Sequence, residues 1–352
     1  MKRVIAAMSG GVDSSVCAYL LKEAGYEVIG VTMCFNLETK ERKRPICCDW
    51  QAIEDARRVA YQLGIKHYVL NFSDILKEKI IKRFCDTYLI GKTPNPCVEC
   101  NRYIKFGTLL EKALKLDADF LATGHYARIE KDTRGVYYLK KAKDPQKDQS
   151  YFLYYLNQQK LRKILFPLGN YLKSEIRQIA RKIKLPVADR PASQDICFLP
   201  KGDYREFLSL HFQDKIKPGE IVDKEGRVLG RHRGICFYTL GQRQGLGLSG
   251  GPFYVIKLEK DTNRIVVSRK EDTYLKKLFV KNPHFINEPI KNKIVLNVKI
   301  RYNHKETPAE IIPHREDLEV IFLKPQSAIT PGQSAVFYKN DTVIGGGEID
   351  TE

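Results

Sequence analysis

Two stretches of this 352-residue chain hold side chains fit for chemistry: Ser9-Gly10-Gly11-Val12-Asp13-Ser14-Ser15, and Cys97-Val98-Glu99-Cys100 behind Thr93-Pro94-Asn95-Pro96. A further thiol, Cys197, follows Ser193-Gln194-Asp195-Ile196 far along the chain. The first stretch lies between an apolar strand run and a helical pattern, where backbone N–H groups and a helix N-terminus face one cavity. Two glycines permit close backbone approach and the serines add hydroxyl donors, so the loop reads as an anion cradle. It lacks the GxxxxGK[ST] spacing of a P-loop. Asp13 is out of place beside phosphate unless a cation is shared. A lone Gly-Gly would mean only a tight turn.

For the thiols, Asn95 suits an N-cap and Pro96 the first helical position, so Cys97 and Cys100 should open a helix and share a face. A helix N-terminus favours thiolate, which predicts two unusually nucleophilic cysteines. The pair alone fits half a metal site, a redox couple or a nucleophile with a neighbour. The nine cysteines (17, 34, 47, 48, 85, 97, 100, 197 and 236) are an odd number in a long chain without a secretory signal, which argues against a disulfide framework. Cys17 in a helical apolar stripe and Cys236 in a strand-like run read as core. The adjacent Cys47 and Cys48 receive no role.

The elements that must position these groups follow from periodicity. RVIAAM (3–8), EVIGVTM (27–33), HYVLNF (67–72) and FLATGH (120–125) read as strands. Between them lie helical patterns: Val16, Cys17, Leu20, Leu21 and Ala24 stopped by Gly25; Ile53, Ala56, Ala60 and Leu63 capped by Asp49; and Leu109, Leu110, Ala113 and Leu114. Alternation of this kind predicts a Rossmann-like parallel sheet with ligands at the carboxyl ends of its strands. From about residue 210 the texture is strand pairs around DKEG, KDTN and KND turns. The expected organisation is an α/β domain over 1–205, a small mixed central domain over 206–275 and an all-β barrel over 276–352.

Composition bounds the function. With 60 Lys+Arg against 42 Asp+Glu, the net charge of +18 is spread over the whole chain and suits a polyanion, most simply nucleic acid. No apolar run approaches the ~18 residues of a membrane span. The start stops being apolar at Met8, so the expected place is the cytoplasm, with no membrane partner.

In its strand–loop–helix setting, SGGVDSS resembles the loop of the PP-loop ATP pyrophosphatases. These cleave ATP between the α- and β-phosphates and activate an oxygen as its adenylate. TPNPCVECNRYIKF (93–106), ATGHYAR (122–128), KDQSYFL (147–153), SQDICFL (193–199), YTLGQRQGLGL (238–248), RYN (301–303) and TPGQSAVFY (330–338) extend the likeness over the whole chain. Together they resemble the tRNA-specific 2-thiouridylase family, the MnmA type. That resemblance implies ATP-dependent replacement of O2 by sulfur in the wobble uridine of tRNAs for Lys, Glu and Gln. It implies ATP along Ala7, Met8, Ser9, Gly10, Gly11, Val12, Asp13 and Ser14, with Met33 and Gly124, and Mg²⁺ and pyrophosphate held with the help of Asp13. It also implies contacts to the anticodon arm of tRNA by His125, Lys147, Asp148, Gln149, Arg301, Tyr302 and Gln333.

Cys100 corresponds to the family's nucleophile and Cys197 to its persulfide carrier, ending in a Cys100–Cys197 disulfide. A sulfur-relay protein or cysteine desulfurase would load the carrier. The best-known members carry Asp where this chain has Cys97. A trio of Cys97, Cys100 and Cys197 therefore raises an iron–sulfur cluster as a hypothesis. Two other readings are an AMP-forming amide synthetase on the same loop and a non-catalytic RNA-binding protein. The first leaves the thiols and the basic surface without a task, and the second leaves Asp13 and the thiols so.

Overall fold

The computed structural model describes residues 1–35, 37–39, 42–46, 50–191, 196–199 and 203–351. Cys47, Cys48, the expected helix cap Asp49, and Ser193 to Asp195 lie outside the described residues. The chain forms two compact units. One comprises Met1–Ile80, Cys97–Phe198 and Asp341–Val343; the other Ile81–Pro96, Leu199–Asn340 and Ile344–Glu352.

The first unit opens with β1 (Arg3–Ala7), α1 (Val12–Glu23) and β2 (Glu27–Cys34), and then a short antiparallel pair, β3 (Leu37–Thr39) and β4 (Arg42–Ile46). It continues with α2 (Trp50–Gln62), β5 (Lys66–Asn71), β6 (Phe120–Ala122), the hairpin β7 (Ala127–Lys131) and β8 (Tyr137–Lys141), and β9 (Ile164–Leu165). A five-stranded sheet runs β5-β2-β1-β6-β9, parallel throughout. β1 is central, which is why Val4 and Ala6 are fully buried while edge strand β5 alternates between exposed and half-buried positions. The strand expected to reach residue 125 stops at Ala122, and Thr123 to His125 form a loop at the sheet's carboxyl edge.

Helix α1 packs its apolar stripe, Val16, Ala18 and Leu21, into a core shared with Val4, Ala56, Val59 and Ile176. Burying each Val or Leu side chain of this kind stabilises the fold by about 1.5–3 kcal/mol. Gly25, at φ +80°, ends the helix as its sequence position foretold.

The second unit carries a small mixed module and an all-β module. β10 (Gly219–Val222), β11 (Val228–His232), β12 (Tyr254–Glu259) and β13 (Arg264–Ser268) form a four-stranded sheet, preceded by a helix over Tyr204–Phe212. Beyond it, β14 (Tyr274–Phe285), β15 (Ile294–Lys299), β16 (Thr307–His314), β17 (Asp317–Ser327), β18 (Ser334–Lys339) and β19 (Thr342–Asp350) run in the order β14-β17-β16-β15-β18-β19. The order closes through β14–β19 pairs such as Val280 with Ile349, making a barrel filled by Val298, Ile311, Val320, Phe322 and Phe337. Closure removes both sheet edges. The expected classes are all present: parallel α/β sheet, small mixed module and all-β barrel.

Candidate nucleotide site and thiol site

β1 ends at Ala7 and α1 begins at Val12, so Met8 to Gly11 form the turn at the carboxyl edge of the sheet. Met8 N–H donates to Val31 O (2.8 Å) and Met8 O accepts from Thr32 Oγ1 (2.7 Å), which ties the turn to β2. Gly10 has φ +72°, and a Cβ there would lie 2.1 Å from Ala52 O, so only glycine fits. Ser14 Oγ donates to Gly11 O (3.1 Å) and accepts from Ser9 N–H (3.1 Å), while Ser15 Oγ donates to the same carbonyl (2.9 Å).

The first internal bond of α1 is Ser15 N–H to Gly11 O. The N–H groups of Val12, Asp13 and Ser14 therefore precede the intrahelical ladder, at the positive end of the helix. Gly124 follows β6, and a Cβ on it would lie 3.0 Å from Asp13 C and Ser14 N, so its backbone lies against the loop. Met8 and Val12 turn their side chains into the core, which leaves only their backbone for a ligand. Met33 is half-buried near the end of β2.

Asp13 has company that local sequence does not reveal. Its Oδ1 accepts from Tyr126 Oη (2.7 Å) and from Lys173 Nζ (2.5 Å). Oδ2 accepts no hydrogen bond among the described residues. Burial and the Asp13 charge push the Tyr126 phenol far above its ordinary range, so it stays a donor. Arg190 donates to Gly10 O (3.1 Å) and pairs with the Asp55 carboxylate of α2, bracing the turn from outside. Lys173 is the cation that the oddity of Asp13 called for.

The thiols sit on a helical segment of unusual pitch. Pro96–Glu99 is α-helical, Cys100–Leu109 is π-helical, and Leu110–Lys115 returns to α. Leu110 N–H reaches back to Lys105 O, five residues apart as a π-helix requires, and the Thr108 hydroxyl donates to Tyr103 O (3.3 Å). Cys97 is exposed, whereas Cys100 is 8% exposed. Cys197 is exposed on another segment.

The expectation of two acidified thiols fails at Cys100, where burial raises the thiol and outweighs the nearby Lys105 ammonium that lowers it. A helix N-terminus acts only on what water leaves charged, and desolvation of a thiolate is the larger effect here. The core thiols follow the same rule: burial pushes Cys236 up to about 11 and Cys85 up to about 12, and Cys17 higher still.

Because the thiolate is the reactive form, Cys100 alkylation should be slow near neutrality and accelerate as pH rises. Lys105→Gln removes the opposing cation, so the thiol moves further up and the rate at pH 8 should fall about three- to tenfold. Fragment-resolved mass spectrometry of iodoacetamide-treated protein reads this; an unchanged rate would deny Lys105 that influence.

Lys105 also meets His125, its Nζ 3.4 Å from Nε2. An ammonium only donates, so Nε2 accepts and the neutral ring offers Nδ1–H to Thr123 Oγ1 at 2.7 Å. Burial holds His125 well below the usual histidine range, with Lys105 adding to it. The ring is packed beside Phe106 and Phe166.

The other residues tied to RNA by resemblance occupy varied settings. Lys147 is exposed. Asp148 is 6% exposed and accepts from Ala142 N–H, Ser150 N–H and Ser150 Oγ, which is a turn-building role. Gln149 exchanges bonds with the Tyr126 backbone through its own N–H and its Oε1. In the second unit, Arg301 donates to Ala328 O and Thr330 Oγ1, and Lys299 lies 5.5 Å over the Tyr302 ring. Gln333 Nε2 donates to Thr93 O (3.1 Å) and Pro94 O (3.0 Å), clamping the loop that leads into the cysteine helix.

Among the described residues no three His, Cys, Asp or Glu side chains converge to hold a metal ion. Cys97, Cys100 and Cys197 thus do not fit a cluster in this arrangement. Mg²⁺ makes a different demand: one or two carboxylates plus substrate phosphates. Asp13 Oδ2 at the phosphate cradle fits that demand.

A glycine turn at the carboxyl edge of a parallel sheet, with a carboxylate and an ammonium facing each other beside it, is the place where a nucleotide-using α/β enzyme binds its ligand. Residues 2–201 match the family described as the tRNA methyl transferase HUP domain. Residues 205–269 match the tRNA methyl transferase PRC-barrel domain and 275–349 the aminomethyltransferase beta-barrel domain. The tRNA-specific 2-thiouridylase MnmA 1 of Caldanaerobacter subterraneus subsp. tengcongensis is 52% identical over 355 residues, covering 99% of this chain and 98% of its own. The tRNA-specific 2-thiouridylase MnmA of Carboxydothermus hydrogenoformans is 49% identical over 356 residues, with the same coverage. The chain belongs to the tRNA-specific 2-thiouridylase family. No helix among the described residues is long and apolar enough to cross a membrane.

Proposed function

We propose that this protein uses ATP to replace O2 of the wobble uridine in tRNAs for Lys, Glu and Gln with sulfur, releasing AMP and pyrophosphate. The observation that carries the reading is the loop itself, where Gly10 and Gly124 let backbone approach closely and the first N–H groups of α1 precede the helical ladder beside Asp13. Uridine O2 is a poor leaving group as oxide but a good one as AMP. Attack of O2 on the α-phosphorus breaks the bond to the bridging oxygen, whose electron pair departs with pyrophosphate. N–H donors fixed at a helix N-terminus stabilise that growing charge without rearranging. Mg²⁺, held by Asp13 and the phosphates, would supply further charge neutralisation.

Sulfur arrives as a persulfide on Cys197, loaded by a sulfur-relay protein or cysteine desulfurase. In one route its terminal sulfur attacks C2 and expels AMP, and the Cys100 thiolate then attacks the Cys197 sulfur. In the other, Cys100 attacks the persulfide first and liberates sulfide, which attacks C2. Both leave 2-thiouridine and a Cys100–Cys197 disulfide that two electrons from a thiol reductant reset. A +18 chain with a barrel domain matched over 275–349 supports binding of the anticodon arm. Arg301, Tyr302 and Gln333 are the barrel's assigned contacts, and His125, Lys147 and Gln149 those of the first unit, with Asp148 building the turn that presents Lys147.

The test is nucleoside mass spectrometry of unmodified tRNA incubated with the protein, ATP, Mg²⁺ and a persulfide donor. New 2-thiouridine with stoichiometric AMP is the expected result; AMP without thiouridine in any tRNA would overturn it.

A further inference from the structure

Lys173 lies 160 residues from the phosphate loop in sequence, yet its ammonium is 2.5 Å from Asp13 Oδ1. Its side chain is only 13% exposed. A long cationic side chain loses rotamer freedom when it is drawn in this way, so such placement is unusual unless the surroundings fix it. Here they do.

Lys173 is the first residue of a helix over Lys173–Lys182, which packs on α1. Its backbone N–H donates to Asp144 Oδ2 (2.9 Å), and Glu175 accepts from Leu172 N–H (2.6 Å), so the helix start is pinned on both sides. The Tyr126 ring lies 5.9 Å beneath the ammonium while its hydroxyl shares Asp13 Oδ1. Arg190, the other cation at the loop, is committed to Gly10 O and to Asp55. The loop thus holds a cation whose partner is the carboxylate suited to a divalent metal.

We propose that Lys173 is a further catalytic group, the cation that receives pyrophosphate as it leaves; this rests on the adenylylation reading above. When the phosphates of ATP enter, the ammonium exchanges the Asp13 carboxylate for phosphate oxygens, and Asp13 would be left to hold Mg²⁺. The electron pair of the broken phosphorus–oxygen bond ends on pyrophosphate, and Lys173 donates a hydrogen bond to it. No proton is transferred, and the ammonium returns to Asp13 when pyrophosphate dissociates. Until ATP arrives, the Asp13 charge keeps the ammonium in place, so the reaction pays little reorganisation for it.

Product inhibition separates this role from that of a structural ion pair. In Lys173→Met the inhibition constant for pyrophosphate should rise at least about tenfold, that for AMP should stay within about twofold, and AMP formation should slow about a hundredfold. Lys173→Arg, which keeps the charge, should retain most of the pyrophosphate affinity. Equal pyrophosphate inhibition of wild type and a folded Lys173→Met protein overturns the proposal. A measurement without substitution guards against misfolding: pyrophosphate with Mg²⁺ should shield Lys173 of the wild type from acetylation, read by mass spectrometry, and AMP should not. Absence of that shielding in protein that pyrophosphate does inhibit also overturns it. If pyrophosphate inhibits neither thiolation nor AMP formation in the wild type, the adenylylation reading falls, and Lys173 with it.

Discussion

Cys100→Ser should reduce 2-thiouridine formation by at least about a thousandfold while ATP-dependent AMP release and tRNA binding persist. Serine fills the same space at a buried position, so the fold is not at issue. What is lost is a group able to attack sulfur and to end the cycle as a disulfide. An alkoxide is far less accessible than even the raised thiolate of Cys100, and it forms no bond equivalent to the cystine. The variant also separates the two sulfur routes. If the Cys197 persulfide attacks uridine directly, the product remains linked through a disulfide, and a protein–tRNA adduct labile to dithiothreitol should accumulate. If Cys100 first liberates sulfide, no adduct forms. Full thiolation by Cys100→Ser would remove Cys100 from the mechanism. Cys100 is buried and Cys197 exposed, so the proposed disulfide requires at least one of them to change its surroundings.

Asp13→Asn should lower kcat/KM for ATP by about a hundred- to a thousandfold, with tRNA affinity within about twofold of wild type. Asparagine keeps the shape and can still accept from Tyr126, so the loop should stay folded. Its charge is what disappears: Lys173 loses its partner and the metal loses its carboxylate. Pre-steady-state AMP release and filter binding of tRNA read the two quantities. A loss of less than about threefold in kcat/KM would show that Asp13 takes no part in handling the phosphates.

The loop and the thiols were legible in sequence for different reasons and to different extents. Gly10 is forced by backbone approach and Gly124 is favoured by it, and that constraint writes itself as residue type at one position. Strand alternation reported the sheet and barrel well, because burial on one or both faces of a strand is set within a few residues. The acidity of the thiols was misread because CxxC spacing fixes their angle about a helix axis and says nothing of how much water each meets. Tyr126 stood inside the noted ATGHYAR string, but its bond to Asp13 crosses 113 residues. Asp148 looked like a polar contact in a turn, and its carboxylate is spent on building that turn.

Sequence by itself determined the class of chemistry: a glycine–serine loop behind a strand, a carboxylate within it, and thiols at Cys100 and Cys197 in the order of one family. These depend on local steric and capping rules, which act over a few residues and survive any packing that preserves the elements. Only the tertiary structure decided which cation faces Asp13, which thiol is buried, and what neutralises or raises each charge. Those outcomes depend on desolvation and on charges 100 or more residues away, brought within 3 Å by folding.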